Sequence, residues 1–443
     1  MSVTSALAWR SLRHRPLAAT ATFLAVLLGT VLIGSFATLA ESSAAASGTD
    51  ADTLVILGAV VGGWGTLIVL FSVASTVGVT TTQRAGEIGL VRTIGATPRQ
   101  ARRLLVRETA VVASVGAALG AGVASLTGHA LFTLVRSGGL VSDATEYDAG
   151  PASVAAAALL VLVAAGLATT VAARRATRGP AGVLVRDAAA AQGRMRWWRI
   201  TVALVLIGYG IAMAVVTVTV TAHDDDPYAA MSTSGSSSIL VGVGLAVLAP
   251  VLLRRLAAPA GLLVGRAGAS GHLASYNTTR RAHLLAGVLA PVLVLTSAAV
   301  GTLLLVDIDG RTLPAGNPDS DTITLLNNVV VGMLSLFAAI MVVNAFVAVI
   351  AHRRDELHRL HLLGATPRQV ERSVVAEAGI VAAVGVLLGT LAALTTVVPF
   401  AIARHEGAVP DGGLWLVPAV AAGVVALTLG AARTSVRAQV TGR

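Results

Sequence analysis

The chain has no lysine and no cysteine, and all 32 of its basic residues are arginine. Without lysine there is no Walker A loop, whose lysine reaches the β- and γ-phosphates of a nucleotide, and no Schiff-base catalysis. Without cysteine there is no thiol nucleophile, disulfide framework or thiolate metal site. Charged residues make up 12% of the 443 positions and aromatics 4%, whereas a soluble globular protein carries about 25% charged residues. Hydrophobic residues reach 55%, with a mean hydropathy of +0.81. These values define a polytopic membrane protein, and any ATP hydrolysis it uses must come from another polypeptide. With no HExxH, Ser-His-Asp or paired-carboxylate pattern in view, no catalytic residue, metal site or cofactor is assigned to this chain.

A spanning helix needs about 20 apolar residues. Ten stretches qualify, at 17–39, 53–79, 108–135, 152–173, 200–221, 236–253, 282–306, 322–351, 373–403 and 414–432. With the N-terminus cytosolic, the outward gaps (40–52, 136–151, 222–235, 307–321 and 404–413) hold three Arg, namely Arg136, Arg311 and Arg404, against 15 acids. The remaining segments hold 29 Arg against 7 acids, a strong positive-inside partition. The expected fold is all-α, with ten transmembrane helices and both termini cytosolic. The basic surface then faces anionic lipids of the inner leaflet, so the isoelectric point near 11.3 does not indicate nucleic acid. The first apolar run is longer than a signal-peptide core, and a similar basic-then-apolar segment recurs at 273–306, so it is read as a retained span.

The chain repeats itself. Residues 84–124 align without gaps to 353–393, with 18 identities in 41 positions around GATPRQ at Gly95–Gln100 and Gly364–Gln369. Arg84, Glu87, Arg103, Glu108, Gly116 and Gly120 recur as Arg353, Glu356, Arg372, Glu377, Gly385 and Gly389. Upstream, Leu7–Arg15 loosely resembles Leu273–Arg281. The organisation is a four-span repeat at 1–180, a two-span insert at 181–270 and a second four-span repeat at 271–443. Six spans separate equivalent helices, so the repeats are parallel and not inverted.

The duplicated hexapeptide carries its own mechanics. Gly95 can end a short helix (84–94) in the left-handed region, Thr97 caps the next helix, Pro98 takes its first position and Gln100 completes a capping box. Gly364, Thr366, Pro367 and Gln369 do the same after 353–363. Such an element is either well-made turn chemistry alone or, because it is duplicated, a docking surface for a soluble partner.

Basic residues, then EIGLVRTIGATPRQ, then a long apolar helix with paired glycines resemble the FtsX-like, MacB-type ABC transporter permeases. The resemblance rests on Arg84, Glu87, Ile88, Gly89, Leu90, Val91, Arg92, Gly95, Ala96, Thr97, Arg99, Gln100 and Glu108, and in the second copy on Arg353, Glu356, Leu360 and Gly364 to Gln369. It implies that 84–94 and 353–363 are coupling helices seated on a separate ATP-binding subunit, two copies per chain, with ATP and Mg bound there. The family serves export, lipid or lipoprotein extraction, peptide-antibiotic resistance and control of cell-wall hydrolases; the short outer loops add the expectation of a lipophilic substrate that enters from a bacterial plasma membrane, for export or extraction. Two departures stand out. His358 and His361 replace Gly89 and Arg92, leaving the equivalence of the two halves open, and outer gaps of about 13 and 15 residues leave no room for a large extracytoplasmic domain.

Other residues are read blandly. Glu108 and Glu377 are taken as charge partners of the nearby Arg107 and Arg372, and the Gly116/Gly120 and Gly385/Gly389 pairs as helix-packing surfaces. His129 and Asn344 are read as packing residues, Trp9, Trp197, Trp198 and Trp415 as interfacial anchors, and Asp224 to Asp226 as solvated surface. The rival classes are an ion-coupled carrier, for which His129 is the main intramembrane candidate, and a non-transporting regulator whose outer acidic loops bind a partner.

Overall fold

Unbroken apolar runs of 20 residues and more leave the backbone no partner but itself, so they form helices. The structure is a computed structural model that describes residues 16–177, 195, 197–224, 229–265, 269–312 and 362–440, with isolated positions between 332 and 360. All the regular elements among these residues are helical. The chain forms two compact units, Met1–Gly193 and Arg194–Arg443.

In the first unit, helix α1 (Pro16–Ser42) is followed by α2 (Thr49–Ile56), a π-turn (Leu57–Val61) and α3 (Gly62–Gln83). A short α4 (Ala85–Thr93) leads into the long α5 (Pro98–Ser137), and α6 (Pro151–Ala176) closes the unit. Helix α1 is the centre, packed by α3, α5 and α6. At the end away from α4, Asp50 accepts hydrogen bonds from Ser142 N (3.1 Å), Ser142 Oγ (2.6 Å) and Thr145 Oγ1 (2.5 Å), tying α2 to the α5–α6 loop.

The second unit opens with a hairpin of α7 (Trp197–Thr219) and α8 (Ala229–Val247), followed by α9 (Ala249–Gly265) and α10 (Ala269–Arg280). Helices α11 (Ala282–Thr312), α12 (Pro367–Ala403) and α13 (Leu416–Val440) complete it. Helix α8 packs on both α11 and α12, so the hairpin is part of this unit's core. Three short hydrogen bonds join it there: Ser234 Oγ to Thr396 O (2.9 Å), Thr396 Oγ1 to Ser234 O (2.7 Å) and Ser238 N to Thr396 Oγ1 (2.9 Å). At the far end Arg404 pairs with Asp309, and Arg311 pairs with Asp307 and, at 3.0 Å, with Glu406. Two of the three arginines assigned to outer gaps are therefore consumed by local acids.

Among the described residues, eight helices (α1, α5, α6, α7, α8, α11, α12 and α13) are long and apolar enough to cross a membrane. Of the ten expected spans, 53–79 falls on the broken run α2–π-turn–α3, whose apolar stretch Gly65–Gly78 is shorter. The span at 322–351 lies almost wholly outside the described residues. The expected span 236–253 is corrected to α8 and α9. Helix α8 reaches back at least to Ala229 because its serines and threonines, polar on any hydropathy scale, bond back to carbonyls three and four residues earlier, as Ser232 and Ser237 do. It ends at Val247: Pro250 has no N–H to continue the α8 ladder back to Ala246 O, and it is accommodated in the first turn of α9, where no such donor is needed.

Candidate functional site

The site is built twice from one local rule. Helix α4 stops where Gly95 takes φ 104°, and the end is closed by Ala96 N to Val91 O (3.2 Å) and Gly95 N to Arg92 O (3.1 Å), the two bonds of a Schellman motif. Thr97 then caps α5: Gln100 N donates to Thr97 Oγ1 at 3.3 Å and Thr97 N to Gln100 Oε1 at 2.8 Å, with Pro98 first in the helix. In the second unit Gly364 has φ 93°, Ala365 N donates to Leu360 O (3.0 Å), and Thr366, Pro367 and Gln369 repeat the capping box. Each cap contributes about 1 kcal/mol and fixes the angle between the short segment and the long helix. We call each such joint an elbow.

A buried ion pair anchors each elbow. Arg84, between α3 and α4, pairs with Glu108 in the third turn of α5, and Arg353 pairs with Glu377 of α12. This corrects the assignment of Glu108 and Glu377 to Arg107 and Arg372. Arg107 is one residue from Glu108 and Arg372 five residues from Glu377, about 100° and about 140° round the helix, so the glutamates point into their units while Arg107 and Arg372 are exposed. The second pair is the more enclosed. Arg353 Nη2 donates to Glu377 Oε1 (3.1 Å), which also accepts from Asn277 Nδ2 of α10 (3.0 Å). Glu356 extends the network by pairing with Arg281 and with Arg353 Nε (3.5 Å).

The residues named from the sequence divide into two sets. Ile88 and Gly89 are buried, Ile88 packing with Ala101, Leu105 and Ala173, and Arg92 Nη1 donates to Thr177 O at 3.1 Å, holding α4 against α6. Arg84, Arg353, Ile88, Gly89 and Arg92 therefore hold the elbow in place. Leu360 and Glu356 are half-buried, while Glu87, Leu90, Gly95, Thr97, Pro98, Gly364, Thr366 and Pro367 are exposed. The apolar tips were not singled out from the sequence. Ile94 is 81% exposed and Leu363 84%, at equivalent positions directly before the left-handed glycines, with Leu90 and Leu362 beside them. Their signal was the repeat itself, which keeps a large apolar residue where a helix end is bound to be solvent-facing.

The paired glycines sit against the first helix of their own repeat. A Cβ on Gly116 or Gly120 would meet Phe23 O, Val26, Leu27 O and Thr30 of α1. One on Gly385 or Gly389 would meet Leu289, Val292, Leu293 O and Thr296 of α11. Val26, Leu27 and Thr30 thus correspond to Val292, Leu293 and Thr296, a correspondence displaced by three residues from the one that relates the elbows. His129, expected inside a span, is exposed near the far end of α5, edge-on to the Tyr147 ring at 4.9 Å. Trp197 and Trp415 are exposed near helix starts, while Trp9, Asn344, Asp225 and Asp226 lie outside the described residues. Among the described residues no three His, Asp or Glu gather as a metal site.

Burial works to raise the pKa of Glu356, but the hydrogen bond from Arg281 and the charges of Arg353 and Arg281 outweigh it, so the carboxyl titrates below its ordinary value. A folded-state pKa below the unfolded one contributes stability that is present above the unfolded value and lost as pH falls through the folded one. Glu356→Gln is therefore expected to lower the melting temperature at pH 7 and to converge on the parent chain below about pH 4, the ordinary carboxylate range. Melting curves in detergent across that range check this; a constant difference would refute it.

A duplicated helical module with eight membrane-length apolar helices among the described residues, and a capped, ion-paired elbow at one end of each repeat, defines a multi-pass membrane protein. The family model described as FtsX-like permease C-terminal matches residues 59–181 and 328–439, together more than half of the chain. The chain belongs to the FtsX-like permease family. No curated protein matches the sequence. Proteins of this family are of the ABC transporter permease type, typically work with an ATP-binding subunit and are generally non-enzymatic membrane components.

Proposed function

We propose that this chain is the transmembrane subunit of an ABC transporter and that each elbow seats one ATP-binding subunit, two per chain. The observation that carries this reading is the equivalence of the two elbows: the same positive-φ glycine, capping box, buried Arg–Glu anchor and exposed apolar tip. A large apolar side chain held out on a rigid joint suits insertion into a pocket on a partner. The anchor supplies the other half of the mechanism. Because Arg84 fastens the elbow to Glu108, inside α5, a push on Ile94 moves the long helix instead of bending the turn.

In this reading the elbows and both termini face the cytosol of a bacterial cell, ten helices span the plasma membrane, and residues 1–180 and 271–443 are the two permease repeats joined by the two-helix insert. ATP and Mg bind the partner. Short outer loops favour a lipophilic substrate that enters from the membrane, for export or extraction. Ion-coupled transport is the rival reading, and its main candidate, His129, lies on a face of α5 that its own unit leaves exposed beside Tyr147 and not among packed helices.

The test is to tag the chain, extract it in mild detergent from its native membrane and weigh what co-purifies. An ATP-binding protein at two per chain is expected. Ile94→Asp and Leu363→Asp are each expected to weaken its retention by tenfold or more, about 1.4 kcal/mol, with the melting temperature of the chain alone unchanged. A chain that purifies alone, or variants that retain the partner fully, would overturn the proposal.

A further inference from the structure

One of the charge differences between the repeats, Arg102 against Glu371, falls on the long helix of each. On the elbow side of the first unit, Arg102, Arg103, Val106 and Arg107 of α5 and Thr170 of α6 line an open groove of about 570 Å³. The equivalent stretch of α12 reads Glu371, Arg372, Val375 and Ala376. There Glu371 takes both cations of α13, accepting from Arg433 Nε at 2.8 Å and Arg437 Nε at 3.1 Å. Helices α6 and α13 align as well: Thr169, Ala172 and Ala173 match Thr428, Ala431 and Ala432, and all six are buried. That register pairs Arg174 with Arg433 and Thr170 with Leu429. Where the second unit carries an acid that neutralises its arginines, the first carries another arginine. Among the described residues no acid pairs with Arg102 or Arg103.

We infer that this groove binds the phosphate of an anionic phospholipid in the leaflet on the elbow side. Arginine recognises phosphate through a planar fork of donors, and three such groups around one groove can meet a phosphodiester from several sides. The walls argue for a lipid and against a free anion. Beyond the arginines the same two helices turn apolar and stay exposed, with Val111 at 43% on α5, and Leu167 at 63% and Val163 at 48% on α6. Val111 lies one turn beyond Arg107, and Leu167 and Val163 lie one and two turns beyond Thr170, so acyl chains attached to a phosphate in the groove would run along apolar surface. In the second unit the Glu371 bridges occupy the corresponding position, so the lipid site belongs to one half of the chain only.

The experiment is native mass spectrometry of the full chain in detergent, titrated with phosphatidylglycerol or phosphatidylcholine. One phosphatidylglycerol per chain is expected to bind about tenfold more tightly than phosphatidylcholine. Arg102→Ala/Arg103→Ala/Arg107→Ala should abolish that preference, and the corresponding triple Lys variant should keep it. Arg102→Glu, which imports the residue of the second repeat at an accessible position, is a milder test that should also abolish it. Glu371→Arg is expected to create a second preferred site. Retention of the preference by both Arg102→Glu and the triple Ala variant would overturn the proposal. Displacement of the lipid by glycerol phosphate at equal concentration would also overturn it, by showing a free-anion site. None of these residues is an elbow tip and no partner is needed, so the outcome is independent of ATP-subunit docking.

Discussion

Replacing Arg353 with Met is expected to destabilise the second unit by about 3–5 kcal/mol, the range for removing one partner of a buried ion pair. An exposed pair would be worth about 0–1 kcal/mol, so burial decides the size of the effect. The side chains of Arg353 and Glu377 are 5% and 2% exposed. Without Arg353 the Glu377 carboxylate keeps only Asn277 Nδ2 among its described side-chain donors. The double variant Arg353→Met/Glu377→Leu should recover most of the loss, since it removes the stranded charge along with its partner. Arg84→Met should cost less, because Arg84 is 13% exposed and water can reach the group left behind. Denaturant unfolding in mild detergent, run as a double-mutant cycle, checks all three. If Arg353→Met and the double variant lost the same amount, the anchor would be ordinary packing and not an ion pair.

The turn of the elbow was legible in the sequence because its cap and helix-end hydrogen bonds are local. Gly95 at the helix end, Thr97 at the cap, Pro98 next and Gln100 three residues on can be read off six consecutive letters, and the structure places each as those letters require. The partner of Glu108 was not legible that way. Arg107 is adjacent in sequence but points elsewhere, while Arg84 arrives from 24 residues upstream through a turn. What could have found it is the repeat, in which Arg and Glu recur together at the same separation. The start of α8 was missed because serines are scored as polar when isolated, yet in a helix their hydroxyls are satisfied by the preceding turn. The seat of the glycine pairs was hidden for a different reason. Their contacts on α1 and α11 follow a shift of 266 residues while the elbows follow 269, so an ungapped comparison at one shift cannot align both. The pattern showed that two glycine faces exist, and only the fold shows what lies against them.

That packing sets the second large expectation. Gly120→Ala and Gly389→Ala should each destabilise by about 2–3 kcal/mol, the usual scale for forcing a methyl group into a closed contact. A Cβ on Gly120 would lie 2.7 Å from Leu27 O and 2.9 Å from Thr30 Cβ. On Gly389 it would lie 2.8 Å from Leu293 O and 2.5 Å from Thr296 Cβ. A carbonyl oxygen and a Cβ are fixed to the backbone, so no rotamer change relieves either clash and the two helices must separate. Gly116→Ala should be milder, since its nearest contact is 3.0 Å away. Gly122 supplies the control on the same helix: nothing lies within 4 Å of its Cβ position, so Gly122→Ala is expected to be neutral or stabilising by up to about 1 kcal/mol through helix propensity alone. Unfolding measurements on the four variants separate the explanations. Equal losses at Gly120 and Gly122 would mean that glycine serves the flexibility of α5, whereas a loss at Gly120 with none at Gly122 would mean that it serves the close approach of α1. The same contrast bears on function. Under the proposed docking of an ATP-binding subunit, a long helix packed this tightly along α1 and held at its elbow by an ion pair passes on a push only as a whole, so Gly120→Ala should also impair ATP-driven turnover of the complex even in the fraction that remains folded.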